Sequence, residues 1–555
     1  MGMRRKYIKK NNVLMVNITR LGDMLQATPT IAGIKMENPD CKVTVLVEKQ
    51  FSAICDWLPH IDDVVALDLG MTVRSLASGS EGIIDAYTYV GEVVEDLKSR
   101  GFDYCLNMSS SAYTALLLSL IGVKRHGGWT ADEEGYRVIE SDWAKLFATS
   151  VFHQNRQFNS INLVDVFRCS SDTEQHPKKL LINIDPDATK YCEGLVREAG
   201  FTNTGPLIAV QAGASQGKRQ WATERFVKLV RILIDRYQAR VILTGTKKEM
   251  RIIEPIASGV NSPNVFVAAG RTNIPQLAAL LKMSAVLVTG DTGPMHIAVA
   301  AGTPVVSMFL ASAYGFETGP YSEGNLVLQP VLSCAPCNPN KPCSRPDCHD
   351  QIDPEFLAEL VMKRVEKDIR ELSDDFADPA KIIVYRSCFD QYGFCNFEAL
   401  NSQRFDRWRK VRNAYRKVWL KDLAGYEVPM SEAADSPLEV LSDDEKLMFE
   451  GLDQVLAQAQ EGIKLIQNLT QLVGDPYSST TALRDVNKRL SELDREIEQT
   501  GFHYAPLNPV TRMFLFAKEN IVGTEALSLA SQMGGNYQRL EERCKMLAGY
   551  YRMIS

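Results

Sequence analysis

Asp291-Thr292-Gly293-Pro294-Met295-His296 stands directly after the apolar run Ala285-Val286-Leu287-Val288 and opens a helical pattern that continues to Ala301. A parallel strand ending in a glycine turn at a helix start directs free backbone N–H groups and the positive end of the helix dipole to one point. That is the chemistry of an anion cradle, and a diphosphate fits it. Pro294 has no N–H and suits the first helical position. The donors expected are therefore Thr292, Gly293, Met295 and His296, with the Thr292 hydroxyl beside them. The same residues read equally well as a plain Asp N-cap on a structural helix.

Three other segments carry usable chemistry. Gln211-Ala212-Gly213-Ala214-Ser215 follows the apolar run 207–210, and Lys218-Arg219-Gln220-Trp221 comes close behind it. Small residues with adjacent cations at a strand's C-terminal end suit phosphate neutralisation, though a solvated basic loop looks the same. Arg20-Leu21-Gly22-Asp23 follows the first apolar run of the chain, where a carboxylate can accept a proton from a hydroxyl or serve only as an N-cap. Cys334, Cys337, Cys343 and Cys348 lie within fifteen residues, interleaved with Pro336, Pro339, Pro342 and Pro346. A loop so rich in proline builds no core of its own. Four thiolates can close a tetrahedral zinc or iron site, with His349 as a substitute ligand; reduced thiols or a labile disulfide pair fit the spacing as well.

The elements needed to position these residues are legible as alternating patterns. Strands are expected over 12–18, 42–47, 64–67 and 104–106, with a helix starting around Met24 between the first two. Strand, helix, strand with short loops implies right-handed crossovers and a parallel sheet. A polar stretch, 170–177, separates this lobe from a second one. There the expected strands are 207–210, 239–243, 265–267, 285–288 and 304–309, with helices over 224–237, 251–257, 274–282 and 295–301. Two α/β lobes with a cleft between them follow. A long charged helix is expected over 355–372, and from about Asn401 the pattern is helical, with Pro437 and 474–479 as interhelical loops. Domains are placed at 1–175, 176–375 (with the cysteine loop 334–348) and 376–555. Within the last, 404–421 interleaves basic residues with Phe405, Trp408, Val411, Tyr415 and Val418 at helical spacing. Such a helix either lies on an anionic membrane or packs its aromatic stripe inward and leaves its charges in water.

Composition narrows the classes. Of 555 residues, 45% are hydrophobic and 23% charged, the balance of a globular protein. With 62 basic and 68 acidic side chains the net charge is −6, so no global field draws nucleic acid. The basic first ten residues lead into an apolar run too short for a signal sequence, and 115–123 is too short for a span. A cytoplasmic protein is expected, with peripheral contact to the inner membrane face as its one extension. Most of the 12 cysteines are scattered singly, as reduced thiols are.

Taken together, Gly22-Asp23 with Ala27-Thr28-Pro29, then Gly213-Ala214-Ser215 with a cation and Trp221, then Asp291 to Ala298 continuing through Ala301-Gly302-Thr303-Pro304-Val305-Val306, resemble the ADP-heptose:lipopolysaccharide heptosyltransferase family, glycosyltransferase family 9. The resemblance covers roughly 12–370. It implies a GT-B fold of two Rossmann-like lobes. It also implies inverting transfer of heptose or a similar sugar from an ADP-sugar to a hydroxyl, with no cofactor for the transfer. In the family's pattern Asp23 is the general base, and Thr292, Gly293 and His296 belong to the donor-diphosphate loop. Arg219 stands where the family carries a phosphate-binding Lys two residues before the Trp. Lys218 precedes it, and which of the two reaches the phosphate is left open. Ala222 replaces the usual Pro. Glu249, after Thr244-Gly245-Thr246, corresponds loosely to a carboxylate on the donor ribose. The expected donor set is thus Ser215, Lys218, Arg219, Glu249, Asp291, Thr292, Gly293, Met295 and His296. The acceptor expected is a surface glycan such as lipopolysaccharide core, or alternatively a protein. Some members resemble iron-binding protein heptosyltransferases with a comparable cysteine loop. A sugar-nucleotide epimerase, which turns over without acceptor, and a non-catalytic scaffold remain as readings of other classes.

Overall fold

The computed structural model describes residues 9–78, 80–132, 134–429, 442–475 and 477–553. The basic Arg4-Arg5-Lys6 and the loop residues Pro437 and Pro476 lie outside them.

The first sheet is built from β1 (Asn12–Asn17), β2 (Lys42–Glu48), β3 (Asp63–Leu67), β4 (Tyr104–Asn107), β5 (His126–Ala131) and β6 (Arg137–Ile139), in the order β3-β2-β1-β4-β5-β6. All neighbours are parallel except β5 with β6. β1 pairs Val13 with Val43 on one side and with Tyr104 on the other, and its Val13–Val16 are fully buried. A central parallel strand is covered on both faces, which is why it reads as a continuous apolar run rather than an alternating one.

The second sheet contains β7 (Leu207–Gln211), β8 (Arg240–Thr244), β9 (Val265–Val267), β10 (Val286–Gly290), β11 (Val305–Met308), β12 (Leu326–Pro330), β13 (Ile382–Phe389) and β14 (Cys395–Ala399), in the order β14-β13-β12-β11-β10-β7-β8-β9. It is parallel from β12 to β9, and β13 and β14 add to its edge antiparallel. The sheet thus continues past residue 375, where the second domain is expected to end, and takes two strands from the segment assigned to the third. The two sheets with their covering helices form a pair of Rossmann-like lobes.

Among the described residues that follow, five α-helices, Arg409–Asp422, Asp443–Gly474, Thr480–His503, Asn508–Glu519 and Ala526–Arg552, carry the remaining structure. Their buried Tyr415, Trp419 and Phe514 belong to the same apolar cluster as Trp143 and Phe158 of the first lobe. The Arg539–Asp142 ion pair at 2.7 Å and the Asn155–Asn508 bond at 2.7 Å tie the two further. In the helix Arg409–Asp422 the Val411, Tyr415 and Val418 of the expected stripe face inward, and Arg412 and Arg416 are buried with them rather than solvated; Phe405 and Trp408 precede the helix, Phe405 exposed and Trp408 half-buried. The helical part of the apolar face expected as one means of membrane contact is therefore already covered. No helix among the described residues is long and apolar enough to cross a membrane.

Candidate active site

β1, β7 and β10 end at one cleft between the lobes, with a cavity of about 820 Å³. The helix Leu21–Glu37 starts three residues before the expected Met24, so Asp23 lies inside its first turn rather than at its cap. Across the cleft the helix Gly293–Ala301 begins, its N-terminus turned toward the first. The approach is close: a Cβ on Gly22 would stand 2.9 Å from His296 Cδ2. Two positive helix ends thus share one space, which suits an anion.

Asp23 is seated by the backbone N–H of Arg20, which donates to its Oδ2 at 3.2 Å. Burial raises its carboxyl above the ordinary aspartate value; the Thr19 hydroxyl and Arg20 pull the other way, and Asp291 adds to the rise. A carboxylate held this way is a stronger base than a solvated one.

Asp291 does not cap its helix. Its Oδ2 receives Arg219 Nη1 at 3.0 Å and its Oδ1 the Thr318 hydroxyl at 3.2 Å. Thr292 holds the N-cap position instead, with its hydroxyl 2.9 Å from that of Thr289. The plain Asp N-cap is thus not what the residue does. Arg219 also donates through Nε to Ser312 Oγ at 2.9 Å, which fixes its fork over the cleft.

Of the residues expected to act together, Asp23, Ser215, Arg219, Glu249, Asp291, Thr292, Gly293 and His296 all line this cavity. Lys218 and Met295 do not. Lys218 turns away and donates from Nζ to the carbonyls of Asn338, Pro339 and Lys341 at 2.6, 3.0 and 2.9 Å. Of the two adjacent cations only Arg219 therefore reaches the cleft. The Met295 side chain is fully buried, and its N–H donates to the Thr292 carbonyl at 3.1 Å. Its amide is already engaged in the first turn, so it drops out of the expected donors. His296 faces the cleft with Nδ1 unpartnered among the described residues, and burial pushes its imidazole down to about 4. It is neutral at physiological pH.

Glu249 accepts Gln211 Nε2 at 3.0 Å on Oε1, and the Thr246 amide and hydroxyl at 2.7 and 2.8 Å on Oε2. A Cβ on Gly213 would stand 1.7 Å from Oε1, so only glycine lets the carboxylate lie over that loop.

The sequence reading missed Arg156 and Glu317, which face the same cavity and pair at 3.3 Å. Burial raises the Glu317 carboxyl while Arg156 opposes the rise. Glu317 follows β11, and the loop after a central parallel strand is where ligand contacts concentrate. That rule marks the segment 309–318. Arg156 sits in a short turn with no comparable signal.

The cysteine loop packs over the 216–221 segment, where the Trp221 indole N–H donates to the His349 carbonyl at 3.1 Å. Cys334 and Cys343 are exposed, Cys337 is half-buried and Cys348 buried. Burial raises the thiol pKa values of Cys337 and Cys348, and the neighbouring cysteines of the loop add to the rise. Among the described residues, however, no three His, Cys, Asp or Glu side chains converge in a metal-binding geometry. The residues as placed do not fit the zinc or iron that their spacing allows.

Residues 90–347 match the family model described as glycosyltransferase family 9 (heptosyltransferase). Lipopolysaccharide heptosyltransferase 3 of Escherichia coli is 24% identical over 296 residues, 53% of this chain and 82% of that protein. Lipopolysaccharide core heptosyltransferase OpsX of Haemophilus influenzae is 25% identical over 340 residues, 60% of this chain and 88% of its own length. The crystal structure of the glycosyl transferase family 9 from Veillonella parvula superposes with a TM-score of 0.51 at 18% identity, covering 65% of this chain and 98% of that one.

Proposed function

We propose, from the premise that this chain is a glycosyltransferase of family 9, that it moves a heptose or similar sugar from an ADP-sugar to a hydroxyl of a surface glycan such as lipopolysaccharide core. The carrying observation is that Asp23 faces the cradle formed by Arg219, Thr292 and Gly293 across one cavity.

In this reading the diphosphate lies between the two helix N-termini, with positive charge from Arg20, Arg156 and Arg219 beside it. Glu249 takes the ribose hydroxyls, and the base stacks on Ile274 and Leu277 at the far end of the cavity. The acceptor hydroxyl enters from the Asp23 side. Asp23 removes its proton as the oxygen attacks the anomeric carbon. The bond to the diphosphate oxygen breaks, its electron pair leaves on ADP, and configuration inverts. Neutral His296 can donate a hydrogen bond to the departing phosphate without a proton having to be bound first.

Incubating the protein with ADP-heptose and a de-acylated lipopolysaccharide core oligosaccharide tests this. Release of ADP is expected only when the oligosaccharide is present. Donor consumed equally without it would point to an epimerase. No ADP release with or without it, and no ADP binding, would leave only a scaffold.

A further inference from the structure

We propose that Arg412 and Arg416 staple the two lobes together and act as positioning residues for the transfer, holding the interlobe angle at which Asp23 faces the donor cradle. This rests on the function proposed above.

The two arginines stand one helical turn apart on Arg409–Asp422, so their side chains leave the same face. Each reaches both lobes. Arg412 Nη1 donates to the Tyr314 hydroxyl of the second lobe at 2.8 Å and approaches the Gln157 carbonyl of the first at 3.5 Å. Tyr314 closes the triangle by donating to the same Gln157 carbonyl at 3.2 Å. The Arg412 guanidinium also lies 4.5 Å over the Phe316 ring and pairs with Asp406. Arg416 Nη1 donates to the Ser160 carbonyl of the first lobe at 2.5 Å. Its Nη2 donates to the Cys395 carbonyl of the second at 3.1 Å and pairs with Asp390 at 2.7 Å.

Only a planar fork with several donors can satisfy two lobes from one residue, which is why arginine and not lysine serves here. Arg412 is 2% exposed and Arg416 8%. Charges this deep hold their place only while paired. The segments it joins are also those lining the cleft: Arg156 precedes Gln157, and Tyr314 leads into Glu317 and Thr318. Both arginines lie outside the 90–347 family region, so the device belongs to the helical extension of this chain.

A two-lobed transferase that must close on its donor shows an affinity reduced by the fraction of molecules already closed. Stapled lobes are closed beforehand. The full chain carrying R412K and R416K together, checked for native circular dichroism, is to be compared with wild type by ADP calorimetry and small-angle X-ray scattering. Wild type is expected to keep the same radius of gyration with and without ADP. The double variant is expected to expand without ADP, to compact when ADP is added, and to bind ADP about tenfold more weakly if its closed fraction falls to about one-tenth. Tyr314→Phe, which removes one hydroxyl from the triangle, is expected to give a smaller shift in the same direction. It decides the matter if the double variant does not fold. A folded double variant with wild-type ADP affinity and ADP-independent scattering overturns the staple, as does a wild type that itself compacts on ADP. Failure of wild type to bind ADP at all overturns the functional reading of the cleft instead.

Discussion

In the mechanism proposed above, replacing Asp23 with Asn removes the base and little else. The amide oxygen of Asn can still accept the Arg20 N–H that now bonds Oδ2 at 3.2 Å, so the first turn of its helix is kept. General-base catalysis contributes about 10²–10⁴ in rate, or about 3–5 kcal/mol of activation free energy. kcat is expected to fall by that factor while ADP still binds. Stability should move the other way. The carboxyl of Asp23 titrates higher in the folded protein than in the unfolded chain. A carboxylate raised on folding favours the native state fully below its unfolded pKa, and that contribution is lost as pH rises through the folded value. Above its folded pKa the ionised Asp23 therefore opposes folding, and there D23N should melt at the same temperature or higher. The assay is acceptor-dependent ADP release across a pH series, with calorimetry and a melting curve on the same samples. Wild-type kcat/KM should drop on the acid side with an apparent pKa above the ordinary aspartate value of about 3.9, and D23N should lose that limb. A D23N protein keeping more than about a tenth of wild-type kcat would refute the base assignment.

The remaining predictions concern the donor side and the cysteine loop. Arg219→Ala should weaken ADP binding about ten- to hundredfold, the range of about 1.5–3 kcal/mol for a hydrogen bond to a charged group. Lys218→Ala should leave calorimetric affinity nearly unchanged and instead expose 334–348 to limited proteolysis, because that side chain holds the loop's carbonyls. Gly213→Ala puts a Cβ 1.7 Å from Glu249 Oε1, so donor KM should rise at least about tenfold as Glu249 is displaced. Unchanged donor KM would place the ribose elsewhere. Native thiol titration should show fast reaction at the exposed Cys334 and Cys343. If neither reacts until the protein is denatured, the loop is closed around something.

Local pattern carried the strands at the heart of each sheet, since β1, β7 and β10 are buried on both faces and are apolar along most of their length, with polar residues only at their ends. Strands at the margins were less legible. β5, His-Gly-Gly-Trp-Thr-Ala, carries two glycines and no run of branched residues. β13 is rich in Ile and Val, but it stands after the stretch read as a long charged helix over 355–372, of which the structure forms only Pro354–Val365, and beyond where the alternation had stopped. The site divides in the same way. Asp23, Asp291 and the 211–219 loop announce themselves because each follows its own strand, and the C-terminal ends of parallel strands point to one side of a sheet.

What the sequence by itself determined was the set of loops that could hold a diphosphate and a base, through short-range spacing alone. What only the tertiary structure decided was the use of the side chains. It turned Arg219 into the cleft and Lys218 out of it, took Asp291 from its cap position to hold Arg219, and brought Glu317 and Arg156 together from 161 residues apart. It also buried Arg412 and Arg416 between the lobes, although their surroundings in sequence read as a solvated basic face. Such choices depend on which distant partner satisfies a buried charge, and spacing along the chain carries no record of that.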